Sequence, residues 1–115
     1  MKTIDETDVL SPSERQMLAE VKEVILRIIP DAKVMLYGSA VRGERDAESD
    51  YDVLVLHGGD LSLTEEEKVI YAVYDVELAR DAVVSLVFFS EDEWSSPLRR
   101  VSPYHKAVES EGLVF

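Results

Sequence analysis

An α/β sandwich with a small sheet is the fold class the sequence predicts, and three observations predict it. Helical periodicity alternates with short apolar, β-rich runs along the chain. Ser- and Thr-headed segments with a Glu three residues on mark helix starts. One run, Val53-Leu54-Val55-Leu56, is apolar without a polar break, the pattern of a strand covered on both faces rather than an edge.

Taken in order, residues 1–10 are polar and read as loosely ordered. Ser11-Pro12-Ser13-Glu14 then supplies an N-cap, a proline at the first helical position and a capping-box glutamate. Met17, Leu18, Val21, Val24, Ile25, Ile28 and Ile29 recur at three- and four-residue spacing until Pro30 ends the helix. Lys33 to Tyr37 is a short strand that stops at Gly38-Ser39, followed by a brief helical turn over Ala40 to Arg45 and a charged loop, Glu44 to Ser49. Asp52 to Leu56 is the next strand, and His57-Gly58-Gly59-Asp60 the loop after it. Thr64-Glu-Glu-Glu67 reads as a second capping box, opening a helix with Val69, Ile70, Val73, Val76 and Leu78 that ends near Ala79. Val83 to Phe89 is a third strand. Ser90-Glu-Asp-Glu93 caps a short turn bearing Trp94, and Pro97 to Glu111 forms a last helix that Pro103 should kink or split. Gly112 releases Leu113-Val114-Phe115.

With 115 residues, 46% of them hydrophobic, one compact domain spanning 1–115 is expected. The chain carries 12 Lys+Arg against 24 Asp+Glu, a net charge of −12. That balance argues against extended DNA or RNA as a ligand, since such recognition runs on neutralising many phosphates. A nucleoside triphosphate is a different case, because bound divalent cations reverse the local electrostatics of an acidic site. An acidic surface also suits docking to a basic protein. The absence of cysteine excludes a disulfide framework and thiolate chemistry, and two histidines are too few for a His-rich metal centre. The first residues lack the apolar stretch of a signal peptide, and no apolar run approaches the roughly 20 residues of a membrane span, so a cytoplasmic protein is expected.

The chemistry concentrates between Leu36 and Leu56. Gly38-Ser39 follows a strand, ten residues intervene, and Asp50-x-Asp52 opens the apolar strand. Residues two apart on a strand face the same way, so Asp50 and Asp52 present two carboxylates side by side. They repel one another unless a cation lies between them, and hard cations such as Mg²⁺ take oxygen ligands while keeping positions open for phosphates. Gly38 lets backbone approach a phosphate closely, and Ser39 adds a hydroxyl and an N–H at the start of a helical turn. Arg42 and Arg45 can reach the same phosphates.

Gly38-Ser39, ten residues, then Asp50-x-Asp52 and an apolar run resembles the signature of the nucleotidyltransferase superfamily that includes DNA polymerase beta and kanamycin nucleotidyltransferase, and the small size resembles its minimal nucleotidyltransferase branch. The resemblance implies a small mixed β-sheet with helices packed mainly on one face. It implies Asp50 and Asp52 as ligands of two Mg²⁺ ions around a triphosphate, with a hydroxyl attacking the α-phosphorus and pyrophosphate leaving. The family usually supplies a third carboxylate from a later strand, and here that place holds Ser85. Glu77 and Asp81 are the nearby acids that can substitute; without a third acid, one ion remains. The branch further implies AMP transfer from ATP to a helical HEPN-type toxin, making the chain an antitoxin. The rival readings are a nucleotide-binding module that neutralises a HEPN partner by binding alone, and an antibiotic-modifying nucleotidyltransferase.

Other signals have simpler explanations. Arg100-x4-His105 has the spacing of HEPN ribonucleases, but Pro103 interrupts the helix on which the pair would converge. His57 reads as a strand-end residue, although it follows the strand that the acid pair opens. Trp94, Phe88 and Phe89 read as core, and Glu65-Glu66-Glu67 as acids favoured by a helix N-terminus.

Overall fold

A computed structural model of the chain describes residues 2–43 and 50–115. Five strands form one mixed sheet in the order β1-β5-β2-β3-β4. They are β1 (Lys2–Thr3), β2 (Lys33–Tyr37), β3 (Tyr51–His57), β4 (Val84–Ser90) and β5 (Leu113–Val114). The helices are α1 (Pro12–Ile28), α2 (Ser39–Arg42), α3 (Leu63–Arg80), α4 (Glu91–Trp94), α5 (Pro97–Arg100) and α6 (Pro103–Glu111). β2 runs antiparallel to β3 and to β5, while β3–β4 and β1–β5 are parallel.

The two long helices pack on one face. α1 starts as its sequence dictates: Ser11 accepts from the Glu14 N–H, and the Glu14 carboxylate accepts from the Ser11 N–H. Its apolar stripe buries Met17, Leu18, Val21 and Ile25 against Val53 and Val55 of β3 and Val69, Val73 and Val76 of α3, each contributing on the order of 1.5–3 kcal/mol before conformational entropy is subtracted. Short helices cover the opposite face, where Met35, Leu54 and Leu56 pack with Trp94 and Val108. β3 is therefore covered on both sides, as its unbroken apolar run predicts.

Four details depart from the sequence reading or sharpen it. The cap of α3 is Ser62, whose hydroxyl accepts from the Glu65 N–H, so the helix begins at Leu63 rather than after Thr64. The Ser62-x-x-Glu65 spacing repeats the pattern two residues earlier, with the Glu65 carboxylate accepting from the Ser62 hydroxyl rather than from its N–H. Pro103 splits the last helix outright: α5 and α6 each have their own serine cap, Ser96 and Ser102. Leu113–Val114 is a strand, held between β1 and β2 by main-chain pairing that a two-residue run cannot advertise. For the same reason residues 2–10, polar in composition, contribute β1 and bury Ile4 and Leu10 in the α1 core. The charged segment 44–49 lies outside the described residues.

Candidate active site

The site forms where β2 hands over to α2 and β3 begins. Tyr37 pairs with Asp52 across the antiparallel ladder, and Asp52 pairs with Ser85 across the parallel one. In-register neighbours share a face, so Tyr37, Asp52 and Ser85 form a row of side chains across three strands. That face is opposite to α1 and α3, because the intervening Tyr51 and Val53 are buried in the α1–α3 core. Tyr51 anchors the entrance by donating its hydroxyl to Glu14 Oε2 of α1 at 2.7 Å.

Gly38 closes the other side. Its backbone sits at φ 81° and ψ −154°, a region essentially restricted to glycine. A Cβ added there would overlap Oδ2 of Asp52 and lie 3.3 Å from its Cγ. Bare backbone thus faces the carboxylate, and α2 begins directly at Ser39.

Ser85 completes the arrangement by donating its hydroxyl to Asp50 Oδ2 at 2.9 Å. Burial raises the pKa of Asp52 above the ordinary carboxylate value; the negative charge of Asp50 adds to the rise, and the guanidinium of Arg42 opposes it. Two carboxylates in mutual repulsion, with hard oxygen donors and the bare Gly38 backbone facing Asp52, fit a divalent cation bound to a phosphate. Arg42 also pairs with Glu111 of α6 at 2.9 Å.

The remaining sequence candidates fall elsewhere. Arg45 lies outside the described residues. Glu77 accepts the Val84 N–H at 3.1 Å and thereby fastens the end of α3 to the start of β4. Asp81 is exposed at the left-handed cap of α3, φ 51°. Among the described residues no three His, Cys, Asp or Glu side chains converge to hold a metal. His57 sits at the far end of β3 from the pair, about 17 Å along the strand, with its Nδ1 2.6 Å from the Gly59 carbonyl. His105 stacks on Trp94 with ring centroids 4.4 Å apart, in the aromatic layer under α4 and α6.

Two residues beside the pair escape the sequence reading. Tyr37 meets Tyr104 edge-on at 5.4 Å. Burial raises the pKa of both hydroxyls, so both rings stay neutral next to Asp52. Tyr37 was within reach of sequence reasoning, as the strand residue preceding Gly38; Tyr104, brought in by α6 from far along the chain, was not.

The class of protein is a nucleotidyltransferase. Residues 18–111 match the model of the nucleotidyltransferase domain family, and the chain belongs to that family. It is 32% identical over 91 residues to a Methanocaldococcus jannaschii protein provisionally named a protein adenylyltransferase, an alignment covering 77% of this chain and 92% of that one. Among solved structures, a toxin–antitoxin chain crystallised with AMP-PNP shares the fold at TM-score 0.58 and 22% identity, covering 84% of this chain and 69% of that chain. A nucleotidyltransferase structure from Sulfolobus solfataricus, likewise provisionally named, aligns at TM-score 0.52 and 19% identity over 97% of this chain and 90% of that one. Among the described residues no helix is long and apolar enough to cross a membrane.

Proposed function

We propose that this nucleotidyltransferase moves AMP from ATP, with Mg²⁺, to a hydroxyl on a HEPN-type toxin, and acts in the cytoplasm as its antitoxin. The observation that carries the reading is the approach of bare Gly38 backbone to Asp52. Only glycine lets the turn close onto the carboxylate pair, so that a phosphate held at the Ser39 N–H would lie beside the acids, where a Cβ would push Asp52 away. In this reading Ser39 contributes its N–H and hydroxyl to the phosphates, Arg42 and Arg45 offset their charge, and Asp50 and Asp52 hold Mg²⁺. The bound cation would supply charge neutralisation at the α-phosphorus and leaving pyrophosphate. Support for the adenylyl group comes from the name of the M. jannaschii relative. Support for a toxin partner comes from fold neighbours that were solved as toxin–antitoxin complexes.

A specific observation favours a second reading. Ser85, a neutral hydroxyl, occupies the row position beside Asp52, and a site with two carboxylates suits nucleotide binding with slow transfer, the partner being neutralised by occlusion. One experiment separates the two. The chain, Mg²⁺, ATP and a HEPN-type toxin are incubated, and the toxin's intact mass is read. An adenylyl increment lost on Asp52→Asn supports transfer; a tight complex with no increment, unchanged by Asp52→Asn, overturns it.

A further inference from the structure

α3 carries two apolar stripes, one inward and one outward. Its inner face buries Val69, Val73 and Val76. Its outer face exposes Leu63, Ile70, Tyr71, Tyr74 and Leu78, whose relative exposures run from 46 to 77%. At 100° per residue these five fall within one stripe, opposite the buried valines and about 22 Å long. A second apolar stripe on a helix whose inner face is already buried marks a surface for a further contact, because solvating it forgoes the free energy its burial would release. Two tyrosines at its middle supply broad, stiff contact area with few rotatable bonds, the type enriched at protein interfaces.

The charges around the stripe select the occupant. Glu67 lies within it and Asp75 at its edge, both exposed; exposed Asp60 and Asp81 flank the two ends of the helix, and Lys68 is the exposed basic residue on it. Arg80 is paired with Glu20. A second copy would bring the same acidic rim and another net charge of −12 against it, and like charges across a rim suppress association. An anionic lipid surface is disfavoured in the same way.

We infer that the outer face of α3 is a docking surface for a protein bearing an amphipathic helix with a basic rim. The apolar stripe takes that helix's leucine-type face, and the acids take its lysines or arginines. The surface is separate from the carboxylate pair, so the inference stands or falls independently of the transfer chemistry.

The test titrates the full chain with an 18-residue synthetic helix, leucine on one face and lysine on the other, against a control with glutamate in place of every lysine. The lysine peptide binds and the glutamate peptide does not. Ile70→Ser with Leu78→Ser weakens the lysine peptide by about 10-fold or more in protein that stays folded, Ile70 being half-exposed and Leu78 largely so. Should that pair unfold the chain, Tyr71→Ala with Tyr74→Ala carries the same expectation. Absence of binding, binding within twofold of wild type in a folded variant, or equal binding of the glutamate peptide overturns the inference. Sedimentation of the chain alone gives a monomer; self-association abolished by the same substitutions identifies a second copy as the occupant and overturns it as well.

Discussion

Gly38 and Asp52 are packed so closely that the glycine's missing side chain is part of the site: a Cβ at 38 would overlap the Asp52 carboxylate. Gly38 directly follows β2 and Asp52 lies on β3, and the β2–β3 ladder, in which Asp52 pairs with Tyr37, brings them together. The turn and the acid pair, ten residues apart in sequence, are therefore one structural unit.

Gly38→Ala is expected to damage the site by two routes. The backbone at φ 81° costs a non-glycine residue about 1–3 kcal/mol, and the new methyl displaces Asp52. Urea titration should show stability lowered by about that amount. Isothermal titration with Mg²⁺ and a non-hydrolysable ATP analogue should show binding lost in protein that is still folded. Retained binding would mean that phosphates do not use this turn.

Ser85→Asp places a third carboxylate in the row beside Asp52. Without metal it adds like charge next to the pair, and the melting temperature should fall. With Mg²⁺ the variant should recover more than wild type does, and turnover should rise roughly 10-fold or more as a charged ligand becomes available to a second ion. A variant whose melting temperature ignores Mg²⁺ would show that residue 85 does not face the cation.

The α3 cap gives a sharper local test. Ser62→Ala should cost about 1 kcal/mol, because its hydroxyl accepts from the Glu65 N–H. Thr64→Ala, inside the helix and exposed, should stay within about 0.5 kcal/mol of wild type. Denaturant midpoints of the two variants decide between Ser62 and Thr64 as the start of the helix.

Legibility in the sequence followed how local each signal was. Ser11, Glu14 and Pro12 fix the start of α1 within four residues, and the unbroken Val53–Leu56 run marks β3 as central. β1 and β5 are two residues each and exist through pairing with chain segments far away, so no periodicity reveals them. Within the site, the Gly38, Ser39, Asp50 and Asp52 spacing was readable because all four lie on one hairpin-like unit. The bond from Ser85 to Asp50 depends on β3–β4 register, and Tyr104 depends on how α6 folds back over the sheet. Neither is encoded near the pair.

Asp52→Asn should stabilise the metal-free protein at neutral pH. Burial and the charge of Asp50 raise the folded-state pKa of Asp52 above its ordinary 3.8. Between that value and the raised one the folded state holds more protons than the unfolded state, so wild-type stability falls as pH rises through the window and stays lowered above it. Asparagine does not titrate. The variant's advantage is therefore expected in full near pH 7, shrinking as pH falls through the raised pKa and vanishing below the ordinary one. Melting temperatures of both proteins across this range check the sign. Adding Mg²⁺ with an ATP analogue should reverse the order at pH 7, because the wild-type carboxylate then holds a cation that asparagine binds poorly. An Asp52→Asn variant that is no more stable than wild type without metal, and gains as much with it, would show that this carboxylate is neither electrostatically strained nor a ligand.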